Sequence, residues 1–131
     1  MYLLDTDTCV YLLNERSAAL TTRFRGMVPS ELATSIINVA ELRYGMAHSQ
    51  RPVENTRRLE ALLSPFTILP FDDLAAFRYA ELKQALASRG TLIGPMDLLI
   101  AAIAVSNEAI LVTNNTREFS RVPRLRSENW L

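Results

Sequence analysis

Residues 98–105 read Leu-Leu-Ile-Ala-Ala-Ile-Ala-Val, eight apolar side chains in a row. A helix built from them has no polar face and must be enclosed on every side. Gly94-Pro95 opens it, because proline suits a first helical turn. Asp97 is its only charge. A fully enclosed helix over Met96–Ser106 requires a layered fold with other elements packed around it.

The rest of the chain supplies those layers. Tyr2-Leu3-Leu4 is a short apolar run without alternation, as in a strand buried on both faces of a parallel sheet. Further strands are expected at Leu32–Ile36, Phe66–Phe71 and Ile110–Thr113, with a short last one within Leu125–Trp130. Helices are expected over Thr8–Leu13, Ala18–Arg25, Asn38–Ala47 and Val53–Leu63. Another runs from an Asp72 cap to about Arg89 and closes at Gly90. Asn115–Phe119 reads as a turn. Strands alternating with helices imply an α/β fold of three layers, α/β/α, around a mostly parallel sheet. One domain over 1–131 is expected, with no repeat or linker.

Composition narrows the chemistry. Cys9 is the only cysteine, which rules out an internal disulfide and points to a reducing, cytoplasmic setting. Asp5 and Asp7 interrupt the place where a signal peptide would be apolar, and no segment reaches the ~18 apolar residues of a membrane span. Formal net charge is zero, so no overall field draws in nucleic acid. Thirteen of the 14 basic residues are arginine, the better planar partner for phosphate. There is no glycine-rich phosphate loop. The single histidine, His48, stands at a helix end, where it suits the dipole rather than a catalytic triad.

What remains is carboxylates. Asp5 ends the first strand, Glu41 lies near the start of the helix after the second, and Asp97 opens the enclosed helix. Asn115 and Glu118 follow the fourth strand. All fall where a parallel sheet gathers its ligands, beyond the strand carboxyl ends. Converging carboxylates repel one another unless protonated or bound to metal. Oxygen-only donors suit Mg²⁺ or Mn²⁺ and disfavour zinc. Each residue also has a plain structural reading: Asp5 and Asp7 as caps, Glu41 in an Asn38-x-x-Glu41 capping box, Asp97 opposing the helix dipole, and Glu118 in a solvated turn.

Four segments carry a resemblance. They are Leu4-Asp5-Thr6-Asp7; Asn38-Val39-Ala40-Glu41-Leu42 with Tyr44-Gly45; Ile93-Gly94-Pro95-Met96-Asp97; and Val112-Thr113-Asn114-Asn115-Thr116-Arg117-Glu118-Phe119. Together with the ending Leu125–Trp130, they resemble the PIN-domain ribonucleases, and more narrowly the VapC toxins of bacterial type II toxin–antitoxin pairs. The resemblance implies an Mg²⁺- or Mn²⁺-dependent endoribonuclease that inhibits translation. Asp5, Glu41 and Asp97 match the family's acidic catalytic and metal positions. Asn115 stands where many members carry a fourth acid, Glu118 matches an accessory acidic position, and Thr6 and Asp7 flank the first aspartate. The resemblance further implies an RNA substrate, with tRNA and the initiator-tRNA anticodon stem-loop among its targets. It also implies a cognate VapB-type antitoxin, contact with operator DNA only through that antitoxin, and a homodimer or larger toxin–antitoxin hetero-oligomer. No membrane partner is implied.

One departure opens a different reading. The family commonly has Asp-Thr-Asn, whereas this chain has Asp5-Thr6-Asp7-Thr8. That run is similar to the Asp-x-Asp-x-Thr signature of haloacid-dehalogenase-type phosphatases, in which the two aspartates are nucleophile and general acid. Such enzymes need a lysine followed by an acidic pair. Here Asp72-Asp73 precedes the only lysine, Lys83. A non-catalytic α/β interaction module is the third reading.

Overall fold

The computed structural model describes residues 1–131. In chain order the elements are β1 (Tyr2–Leu4), α1 (Thr6–Leu13), α2 (Ala18–Arg25), β2 (Leu32–Ser35), α3 (Ile36–Ala47), α4 (Pro52–Leu63), β3 (Thr67–Leu69), α5 (Asp73–Ser88), α6 (Pro95–Ser106), β4 (Ile110–Val112), α7 (Thr116–Phe119) and β5 (Arg126–Glu128). A 3₁₀ turn, Pro29–Glu31, leads into β2. The five strands form one sheet in the order β3-β2-β1-β4-β5, and every pairing is parallel. The expectation of a mostly parallel sheet is met by a wholly parallel one.

Successive side chains on a strand point to opposite faces, and the two cores follow that rule. Leu3 and Leu111 join the α5–α6 side, where Ile100, Ala101, Ala102, Ile103 and Ala104 are completely buried. Leu4 and Val112 join the other side with Leu12, Leu20, Leu42 and Leu59 from α1 to α4. The helix without a polar face is therefore enclosed along Leu98 and Ile100–Ala104, while Leu99 and Val105 are only partly covered.

Element ends differ in three informative places. α1 begins at Thr6, two residues earlier than expected, because Asp5 is its N-cap. α3 begins at Ile36, not Asn38. Ser35 is the cap, and Asn38 closes the capping box as its third residue. The Asn38-x-x-Glu41 box does not form, and Glu41 sits on the second turn. The Asn115–Phe119 turn tightens into the short helix α7 after Asn115.

β1 lies at the centre, with β2 and β3 built outward on one side and β4 and β5 on the other. The chain reverses its direction of growth between β1 and β4. Such a switch point leaves a crevice at the strand carboxyl ends, the usual ligand position in open α/β sheets.

Candidate active site

The crevice is built around Asp5. It follows β1 directly, is 7% exposed, and caps α1 through a 2.8 Å bond from the Thr6 amide to Oδ1. Oδ1 also accepts from Asn38 Nδ2 at 2.9 Å. Oδ2 accepts from the Thr113 hydroxyl at 2.8 Å. Thr113 follows β4 and Asn38 lies on α3, so the two neighbours of β1 both hold its terminal carboxylate. Burial pushes the Asp5 pKa up, and the Thr113, Thr6 and Asn38 bonds partly offset that.

The network has a definite polarity. Asn38 Nδ2 also donates to Thr6 Oγ1 at 3.0 Å, and the Thr6 hydroxyl donates to Glu41 Oε1 at 2.7 Å. Glu41 is thus held as an acceptor. Asn38 is fixed in turn through its Oδ1, which accepts from the Ser35 hydroxyl at 2.6 Å. No buried side-chain polar atom in the protein lacks a partner, which is how a polar cluster at a core edge is tolerated.

Asp97 enters from the first turn of α6. Glu118 stands beside it, with Oε1 accepting from the Gly94 amide at 2.9 Å and Oε2 from the Asn115 side chain. These carboxylates interact strongly. Asp97 is pushed up to about 7 by burial, then by the hydrogen bond and charge of Glu118, then by the charges of Asp5 and Glu41. Glu118 is lowered, chiefly by the Gly94 amide. A carboxylic acid pushed toward neutrality by burial together with neighbouring acids, inside a cleft, marks a candidate functional site.

Asp5, Thr6, Asp7, Glu41, Asp97 and Asn115 line one depression of about 160 Å³ with no hydrophobic residue in its wall. Six of the seven sequence-predicted residues therefore meet, and Glu118 stands beside Asp97 outside the lining. Asn38 and Thr113 are the supports that sequence reasoning assigned only to a helix start and a strand end. Their signal was polarity at strand ends in an otherwise apolar context.

The donor set fits a hard divalent cation. Every side chain in the lining offers oxygen, and the mutual repulsion at Asp97 is relieved by a positive charge. No three acidic side chains converge closely enough to form a ready-made cage.

The PIN domain profile matches residues 2–125. The chain belongs to the PIN-domain family. Among its relatives, Ribonuclease VapC2 of Rickettsia felis is 39% identical over 131 residues, covering 99% of this chain and 98% of that protein. The tRNA(fMet)-specific endonuclease VapC of Shigella flexneri is 36% identical over 129 residues, covering 98% and 97%. The crystal structure of VapBC2 from Rickettsia felis, bound to a DNA fragment from its promoter, superposes with a TM-score of 0.93 at 38% identity, covering 99% and 98%. DNA-bound VapBC from Salmonella typhimurium gives 0.93 at 35%, covering 99% and 98%. Membership of the PIN family replaces the phosphatase reading of Asp5 and Asp7.

Proposed function

We propose that this chain, a single PIN domain over 1–131, is the VapC-type endoribonuclease toxin of a toxin–antitoxin pair. It hydrolyses phosphodiester bonds of tRNA and so stops translation. The observation that carries this reading is the all-polar depression in which Asp5, Glu41 and Asp97 meet at the β1–β4 switch point. Asp5 and Asp97 would hold a divalent cation, Mg²⁺ or Mn²⁺, with Glu41 in support. The chemistry such a cation supplies is polarisation of a phosphate oxygen and a bound water of lowered pKa.

The chain's own residues prepare the site for that chemistry. Thr113 and Asn38 fix both oxygens of Asp5 in the crevice. Thr6 keeps Glu41 oriented. The Gly94 amide holds the Glu118 pKa down, while burial and then Glu118 itself push that of Asp97 up. Asn115 and Asp7 complete the rim.

A VapB-type antitoxin neutralises the enzyme in the cytoplasm, and operator DNA is reached only through that antitoxin. The toxin acts as a homodimer or within a larger hetero-oligomer. No helix is long and apolar enough to cross a membrane. Incubating the purified protein with total tRNA and Mg²⁺, then sequencing the new ends, tests the substrate. Cuts confined to the initiator-tRNA anticodon stem-loop are expected. Cuts in another tRNA correct the target, and intact RNA at every Mg²⁺ concentration refutes the activity.

A further inference from the structure

Next to the carboxylate depression lies a second one, of about 220 Å³, lined by Asp7, Val10, Tyr11, Arg16 and Asn114. The two share Asp7 as a wall, and Asn114 and Asn115 place one asparagine in each. We propose that this second depression binds the nucleotide adjoining the cleaved bond, with Arg16 on its phosphate and Tyr11, Val10 and Asn114 against its base. The proposal rests on the endoribonuclease reading and deepens it.

The first argument is charge. Asp5, Asp7, Glu41 and Asp97 all line the cleavage depression, and a polyanionic substrate needs a cation beside them. Arg57 and Arg126 line other cavities without an ion pair but lie away from the carboxylates, and two further cavity-lining arginines are engaged. Arg78 and Arg124, which line a larger cavity of about 510 Å³ at the amino-terminal ends of β4 and β5, both pair with Glu81. Arg23, Arg25, Arg43 and Arg51 pair with Glu128, Glu15, Glu60 and Glu54. Arg16 forms no ion pair, lines the depression next to the carboxylates, and offers the planar fork that matches phosphate.

The second argument is how Arg16 gets there. α1 ends in a Schellman turn: the Glu15 amide bonds the Leu12 carbonyl at 3.3 Å, and the Arg16 amide bonds the Tyr11 carbonyl at 3.0 Å. The turn needs a left-handed residue, a place where glycine is usual. Here Glu15 adopts it with φ 50°, a conformation that costs a non-glycine residue energy. The turn folds Arg16 back beside Tyr11, which shares a face of α1 with Asp7 four residues earlier.

The third argument is the remaining wall. Tyr11 is half-buried beside Val10, giving an apolar surface against which any base can stack. Asn114 brings an amide able to donate to and accept from a base edge. Its loop is anchored at the catalytic centre, because the Thr113 hydroxyl accepts from the Asn115 amide at 3.0 Å while donating to Asp5.

The test uses a labelled initiator-tRNA anticodon stem-loop, bound without divalent metal and cleaved with Mg²⁺. Arg16→Ala should weaken binding about tenfold, the loss of one charge-assisted hydrogen bond. It should also reduce the slope of log affinity against log salt by about 0.7, one phosphate of a single strand. KM should rise with kcat nearly unchanged, and Arg16→Lys should recover the salt slope but only part of the affinity. Arg126→Ala, at the amino-terminal end of β5 and so at the other end of the strands, serves as control. A wild type that cleaves while Arg16→Ala binds with unchanged affinity and slope overturns the pocket and leaves the nuclease standing. A wild type that binds, loses affinity on Arg16→Ala, and never cleaves supports the pocket and refutes the nuclease.

Discussion

Replacing Thr113 with valine isolates the support of Asp5. The side chain keeps its shape and loses its hydroxyl, which donates to Asp5 Oδ2 at 2.8 Å and accepts from the Asn115 amide at 3.0 Å. Asn115 is exposed, so its amide can turn to water at small cost. Asp5 is buried and cannot. A hydrogen bond to a charged group contributes about 2 kcal/mol. With 131 residues and an unfolding entropy of about 2.1 cal/mol/K per residue, that loss lowers Tm by roughly 7 °C. Asp5 also loses one of the bonds that oppose its burial, so its pKa rises further and it takes up metal less readily. Losing a support of this kind typically costs 10–100-fold in metal affinity. The assays are thermal melting without metal and the Mg²⁺ concentration for half-maximal RNA cleavage. Thr113→Ser, which keeps the hydroxyl, should stay close to wild type in both. If Thr113→Val melts within about 1 °C of wild type and needs no more Mg²⁺, Thr113 does not hold Asp5 as described.

Two further outcomes follow from the same geometry. Asp97 titrates at about 7 in the folded protein against 3.8 without its surroundings, so the folded state holds that proton more tightly than the unfolded one. Stability of the metal-free protein should therefore fall as pH rises from about 4 through about 7, and Mg²⁺ should raise Tm more at about pH 8 than at about pH 6; melting curves across pH with and without Mg²⁺ check both. Asp7 is exposed on the first turn of α1 and makes none of the bonds that order Asp5, so Asp7→Asn should retain RNA cleavage and slightly strengthen RNA binding, whereas a general acid would lose about 10²–10⁴-fold in rate.

Much of this protein was legible because charges interrupt apolar runs. Asp5 stops β1 and Asp97 opens an otherwise apolar α6, so both stand out without knowledge of the fold. The start of α3 was obscured by its own residues. Thr34-Ser35-Ile36-Ile37 is β-branched at three of four positions and reads as continuing strand, while Asn38 imitates a cap. That shift of two residues moved Glu41 onto the wrong turn and hid its bond to Thr6, 35 positions away in sequence. Thr113 and Asn38 were illegible as supports for the same reason: their bonds to Asp5 span 108 and 33 residues, and only strand order brings them together. The Arg16 depression depends on a left-handed glutamate, which no residue preference announces.

The central claim is that the carboxylates at the β1–β4 switch point hold a divalent cation that cuts RNA, and Asp97→Asn tests it most directly. Asparagine is nearly the same size and removes the charge that the neighbouring acids resist, so the protein should fold and, without metal at about pH 8, melt no lower than wild type. Cleavage of the initiator-tRNA anticodon stem-loop, measured across an Mg²⁺ titration beside wild type, should fall by at least about 10²-fold. A folded Asp97→Asn protein that cuts this RNA at the wild-type rate and Mg²⁺ dependence would contradict the account.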